Sequence, residues 1–415
     1  MPRNVIRLVI FVTHTDRILQ QIQSLGNVPE PSIDAIQHSE LLYQEIVKNS
    51  KNGDLTFHDF MHLVLYAPGL GYYSAGSHKI GPAGDFITAP ELSPLFGQSI
   101  AVQAQQVLSE DCASMLEFGA GTGRLAVSVM SYLAQVDALP EQYIILEPSP
   151  DLKQRQQALV AAELPELVNR FQWVSELPDS FSGVMVANEV IDAMPVHGFR
   201  VVGDRIEEMM VIVDADEELT IAYSETLSPA LSDWWSTTGQ QLGLPDGYIS
   251  EVNLAMNAWI KSIGESLTKG LVLLIDYGFP VAEYYLPERN TGTIKCHYRH
   301  RHHDDPLKLL GLQDVTAHVD FTSVAEAGLD YGFDVLGYAN QGAFLTSCGI
   351  LQLAEAAVGD DLKQQVLMSQ QIKPLIMPEE MGELFKVMTL AKDIDPVSLG
   401  GLIGFRYLDQ RHLLG

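Results

Sequence analysis

The stretch Met115–Gly123, M-L-E-F-G-A-G-T-G, constrains this 415-residue chain more than any other. A short apolar run ends in an acid, Glu117, and glycines then fall at 119, 121 and 123, ahead of a helical segment over 125–133. The spacing predicts a strand, a tight turn and a helix start. Glycines allow the sharp turn and let a ligand lie against bare backbone. At the carboxyl ends of strands in open α/β sheets, such turns border the crevice where nucleotide-like ligands sit. A dinucleotide fingerprint fails, because the sixth position counted from Gly119 is Arg124, and no Gly-Lys-Ser/Thr triplet follows Gly123 to make a phosphate loop. The competing reading is a glycine turn that binds nothing. A second β-type run, Y-I-I-L over 143–146, ends in Glu147. A carboxylate there, roughly 20 residues past the turn, can accept hydrogen bonds from both hydroxyls of a ribose.

Composition narrows the partners. A hydrophobic content of 47% is globular, and the length allows two or three domains. The net charge of −28 opposes nucleic acid and suits a basic protein partner. Three scattered cysteines (Cys112, Cys296, Cys348) suggest a reducing compartment without a disulfide framework. The apolar run over 5–12 is too short to span a bilayer. The expected location is a bacterial cytoplasm, with a mitochondrial matrix as the alternative and no membrane insertion.

Residues 1–37 read as a flexible lead-in. Leu41, Leu42, Ile46 and Val47 then lie on one helical face, and Thr56 caps a second helix carrying Phe57, Phe60, Met61, Val64 and Leu65. A Gly/Pro-rich stretch, 68–94, is too long for an ordinary connection, and its aromatics argue against disorder. A helix over 93–108 leads into the first strand. Further apolar strands fall at 183–187, 271–275, 333–338 and 385–390. Residues 197–268 read as an insertion with hairpin strands over 199–202, 206–213 and 219–224.

The pattern acid-x-G-x-G-x-G resembles the first motif of class I S-adenosylmethionine methyltransferases. The runs G-Y-Y-S (71–74), I-G-P-A-G-D-F-I-T-A-P-E-L-S-P-L-F-G (80–97), A-N-E-V-I-D-A-M-P-V-H (187–197), L-L-I-D-Y-G (273–278), H-R-H-H-D-D-P (300–306) and Q-D-V-T-A-H-V-D-F-T (313–322) look like the MidA-like branch of these enzymes. Gln98 departs from that pattern, which leads one to expect Glu.

The resemblance implies an α/β Rossmann-like fold with a seven-stranded sheet in the order 3-2-1-4-5-7-6. A helical and Gly/Pro-rich extension (38–108) would precede the methyltransferase core (109–196 and 269–415), and the insertion (197–268) would sit between strands 4 and 5. It implies S-adenosylmethionine as cofactor, held by Glu117, Gly119, Ala120, Gly121, Thr122, Gly123, Glu147, Pro148 and Asn188, with Gly84, Thr88 and Pro90 from the extension. The acceptor it suggests is an accessible arginine of a protein, such as a respiratory complex I subunit. Glu189, Asp192 and Asp276, acids at strand ends, are the candidates to grip such a cation and take up its proton. A binding-only assembly factor and a small-molecule methyltransferase are the alternatives, and a homodimer stays open. The histidines over 297–303 invite a metal reading. Arg299 and Arg301 between them disfavour it, so no metal is expected and a polar loop over the acceptor site is the better reading. His318 reads as a structural or orienting residue.

Overall fold

The computed structural model describes residues 14–26, 28–50, 55–74, 88–358 and 361–415. The chain opens with helices α1 (His14–Ser24), α2 (Ile33–Ser50), α3 (Phe57–Tyr66), α4 (Ala89–Leu92) and α5 (Pro94–Gln105). It then alternates as β1 (Ser114–Phe118), α6 (Arg124–Gln135), β2 (Gln142–Leu146), α7 (Pro150–Glu163), β3 (Phe171–Val174) and β4 (Phe181–Asn188). Next come β5 (His197–Val202), β6 (Arg205–Val213), β7 (Leu219–Ser224), α8 (Pro229–Thr237) and β8 (Ile249–Val252), then α9 (Ala255–Ser266) and the long β9 (Leu267–Phe279). The remainder holds α10 (Val281–Tyr284), β10 (Lys295–Tyr298), β11 (Arg301–His303), β12 (Asp314–Thr316), β13 (Val319–Asp320) and α11 (Phe321–Asp330). It closes with β14 (Asp334–Asn340), α12 (Gln341–Ser347), α13 (Ile350–Val358), α14 (Leu362–Ile376) and β15 (Phe385–Lys392).

The main sheet runs β3-β2-β1-β4-β9-β15-β14, with β13 paired to the end of β9. In sequence rank within the sheet this is 3-2-1-4-5-7-6, the order expected. β15 lies antiparallel to both neighbours, and the other main strands are parallel. Strict alternation sorts the strands between two layers. Met115, Tyr143, Ile145, Val184, Val186, Leu271, Leu273 and Val387 pack against α5, α6, α12 and α14. Leu116, Ile144, Met185, Val272, Leu274 and Met388 pack against α9 and α11.

A cap covers the carboxyl edge of this sheet. The antiparallel sheet β7-β6-β5-β8 joins α2 and α3 in one core, where Leu42, Phe57, Phe60 and Val64 meet Val196, Met209 and Val211. Cys296, Leu310 and Val315 bring the sheet β11-β10-β12 into the same core. Three expectations change here. Residues 14–26 and 28–37 are not a flexible lead-in: α1 buries Ile18 and Ile22 against Tyr298 and Leu309, and α2 starts at Ile33. The insertion ends before α9, because Met256, Ile260 and Ile263 belong to the main-sheet core. Residues 295–316, assigned to the methyltransferase core, instead complete the cap, and 295–303 form a hairpin rather than a loop. Among the described residues no helix is long and apolar enough to cross a membrane.

Candidate active site

Register places the site. Phe118 of β1 stands level with Leu146 of β2 and Ala187 of β4, and Asn188 stands level with Ile275 of β9. The residues that follow, Gly119, Glu147, Glu189 and Asp276, therefore fall along one edge, the first three just past their strands and Asp276 still within β9. That edge is where the strand order reverses between β1 and β4, the switch point at which open α/β sheets bind ligands. A cavity of about 1090 Å³ lies there, between the sheet edge and the cap.

One half of the cavity is built on the glycine turn. Gly119, Gly121 and Gly123 take φ of 59°, 52° and 90°, a region that side chains rarely adopt. A Cβ at Gly119 would project into open space, with nothing within 4 Å. Glu117 lies buried below the turn, accepts a hydrogen bond from Tyr143 Oη at 2.7 Å, and is pushed by burial to a pKa of about 7. Across the turn, Glu147 is tied by both oxygens: Ser149 N donates to Oε1 and Gln156 Nε2 to Oε2, each at 2.9 Å. Gln156 Nε2 also donates to Gly121 O at 2.9 Å, and Trp173 Nε1 donates to Gln156 Oε1 at 3.0 Å. One fully buried amide thus locks the glycine turn to the acid of the next strand. From the extension, Thr88 and Pro90 line the same half, and Thr122 Oγ1 donates to Glu91 on α4.

The other half is acidic. Glu189 sits just past β4 with φ of 53°, held by its backbone N–H to Ile275 O (2.9 Å) and by Asn188 Nδ2 to its Oε1 (2.9 Å). Burial, reinforced by the charge of Asp192, pushes its pKa up to about 8. Asp192 is itself pushed up by burial, partly offset by a hydrogen bond from Tyr277. Its Oδ1 is buried and has no hydrogen-bond partner among the described residues. Asp314 of β12 completes the acidic wall. His297 and His318 line the cavity as neutral imidazoles, lowered by burial to about 4 and about 3. Among the described residues, the lining's Arg and Lys groups pair with acids outside it: Arg124 with Glu163 at 2.5 Å and Lys295 with Asp304 at 2.6 Å.

Comparison with known proteins decides the family. A family profile of S-adenosyl-L-methionine-dependent methyltransferases matches residues 95–339. The chain belongs to this methyltransferase family. A Burkholderia thailandensis protein solved bound to S-adenosyl-homocysteine superposes with a TM-score of 0.87 and 37% identity, covering 93% of this chain and 100% of that one. The mitochondrial protein arginine methyltransferase NDUFAF7 of Danio rerio is 25% identical over 81% of this chain and 83% of its own length. The Drosophila melanogaster homologue is 27% identical over 87% of each.

S-adenosylmethionine is therefore the cofactor, and the residues present fit it: an open, Cβ-free face at Gly119 beside a buried, oriented carboxylate at Glu147. Of the residues singled out in the sequence of this methyltransferase, Glu117, Gly119, Ala120, Gly121, Thr122, Glu147, Pro148, Asn188, Glu189, Asp192, Thr88 and Pro90 all line the cavity. Gly84 lies outside the described residues. Gly123 faces away, its Cβ position within 3.4 Å of Gln156 and Leu159, and acts as the cap of α6. Asp276 does not line the cavity either. Its Oδ2 accepts from Ile191 N (3.0 Å) and Asp192 N (3.2 Å) and its Oδ1 from Tyr277 N (2.9 Å). Those amides leave it a buried strut that shapes the Glu189–Asp192 turn, not a group facing substrate.

Sequence reasoning missed Gln156 and Asp314. Gln156→Ala should weaken S-adenosylmethionine binding about tenfold, since an unanchored carboxylate and carbonyl forfeit roughly 1–3 kcal/mol. Calorimetric titration checks this, and unchanged affinity would show that Glu147 needs no tether.

Proposed function

We propose that this methyltransferase modifies a guanidinium nitrogen of arginine in a protein. The observation that carries the reading is an acidic wall: Glu189 and Asp192 line one cavity, Asp192 Oδ1 is buried without a hydrogen-bond partner among the described residues, and the Arg and Lys groups among the described lining pair with other acids. Buried carboxyl groups hold a proton while the site is empty, and they ionise most readily beside a positively charged ligand. The names of the mitochondrial relatives support arginine as that cation.

S-adenosylmethionine, when bound, supplies an electrophilic methyl group. Glu117, the Gly119–Gly121 turn and Glu147 hold and orient it, with Thr88, Pro90 and Pro148 closing over that half. Glu189 and Asp192 grip the guanidinium, draw its positive charge away from the attacking nitrogen and leave that nitrogen more nucleophilic. Glu189, whose burial raises its proton affinity, accepts the proton that the nitrogen sheds on methylation. A complex I subunit is the first acceptor to try. The higher identity to the Burkholderia protein than to the mitochondrial relatives favours a bacterial cytoplasm as the compartment.

The pH dependence tests this reading. Glu189 is protonated below about 8 in the free site and must ionise to meet a cation. The second-order rate constant for acceptor should therefore rise with pH from 6 and level off above about 8. A flat profile between pH 6 and 9 would favour a neutral acceptor.

A further inference from the structure

Asp314 stands apart from the other acids in origin. Glu189 and Asp192 leave the main sheet at the end of β4, whereas Asp314 comes from the cap strand β12. It is 3% exposed and lines the same cavity. The Tyr73 hydroxyl lies 3.0 Å from each of its oxygens. Tyr73 stacks on Tyr66 with centroids 5.5 Å apart and planes 21° apart, and Tyr66 Oη donates to Ala193 O at 2.8 Å. The Ala317 amide, just past β12, donates to Asp192 O at 3.0 Å. Two separate tethers thus link Asp314 and the end of β12 to the loop carrying Glu189 and Asp192.

A second feature lies on the core side of the cavity. Asp192 Oδ1, in a residue only 5% exposed, lines the cavity with no hydrogen-bond partner among the described residues. The charge of Asp314 is felt at Glu189, where it helps raise the pKa. Carboxyl groups of core and cap thus meet in one low-dielectric cavity, where ionising both without a cation is costly. A cation seated between them is attracted from both sides once Glu189 has ionised to meet it.

We propose that Asp314 is the cap's own acceptor-binding residue, so that the substrate cation is clamped between Glu189 of the core and Asp314 of the cap. The clamp rests on the guanidinium reading above and deepens it: the acceptor binds across the seam, and its charge draws cap and core together. Asp314 acts on acceptor affinity rather than on the cofactor half.

The test uses the full-length protein saturated with S-adenosylhomocysteine and titrated calorimetrically with N-acetylarginine amide or its neutral isostere, N-acetylcitrulline amide. Wild type should bind the arginine probe in preference to the citrulline probe. Asp314→Asn, which keeps an oxygen for Tyr73, should bind the arginine probe at least ~30-fold more weakly, the loss expected on breaking a buried charge pair. Its affinity for S-adenosylhomocysteine should be unchanged, which also reports that it folds. Asp314→Glu should recover part of the arginine affinity, because charge rather than shape is what the site uses. It serves as the readout if the amide variant does not fold, and arginine affinity no better than the citrulline probe's would then overturn the clamp. Equal arginine affinity in wild type and Asp314→Asn would overturn it while leaving the guanidinium reading intact. A wild type that does not prefer arginine over citrulline would overturn both.

Discussion

Glu189→Gln should abolish most methyl transfer, lowering kcat by ~10²–10⁴-fold, the range for a positioned proton acceptor. The swap is nearly isosteric. The side-chain oxygen can still accept from Asn188 Nδ2, and the backbone bond to Ile275 O and the φ of 53° make no use of the charge. S-adenosylmethionine affinity should therefore stay within about threefold, because Glu147 and the glycine turn lie in the other half of the cavity. What disappears is the anion proposed to draw charge from the guanidinium and take its proton. Steady-state transfer at pH 8.5, where wild-type Glu189 is mostly ionised, gives the largest contrast. Turnover within tenfold of wild type would remove Glu189 from the mechanism.

Gly119→Val should reduce S-adenosylmethionine affinity by about 100-fold or more. Two effects coincide there. A left-handed φ of 59° costs a side chain roughly 1–2 kcal/mol, more for a branched one. The added methyl groups enter the space in front of the turn, which no protein atom occupies within 4 Å of the new Cβ. Gly203 separates these effects. It turns the β5–β6 hairpin with φ of 63° and equally open surroundings, away from the cavity. Gly203→Val should lower the melting temperature comparably and leave cofactor affinity untouched. If Gly119→Val binds as well as Gly203→Val, the cofactor does not lie on this turn.

What the sequence disclosed follows the range of the interactions involved. The glycine turn and the acids at 117, 147 and 189 were legible because each sits within a few residues of the strand that presents it, and parallel register brings strand ends together. Gln156 was not legible. It lies among Gln154, Arg155 and Gln157 on α7, a run that reads as a solvated face, and only the fold turns it under the glycine loop. Asp314 is placed by Tyr73, 241 residues away, and no local pattern carries that contact. Asp276 misled for the same reason. Its position at a strand end suggested substrate contact, but the turn after β4 folds its amides onto that carboxylate. In α1, the polar residues around Ile18 and Ile22 masked a helix held by residues near 300. The cap is likewise assembled from segments far apart in the chain, so its boundaries could not be drawn from composition.

A protein arginine is the proposed occupant of the acidic half of the cavity. The most direct test is transfer from methyl-labelled S-adenosylmethionine into a lysate of the host, with complete hydrolysis and chromatography of the labelled protein. The label should enter protein and be recovered as N-methylated arginine, and Glu189→Gln should abolish it. Label recovered in another amino acid or in small molecules, or no label entering protein despite tight cofactor binding, would contradict that proposal.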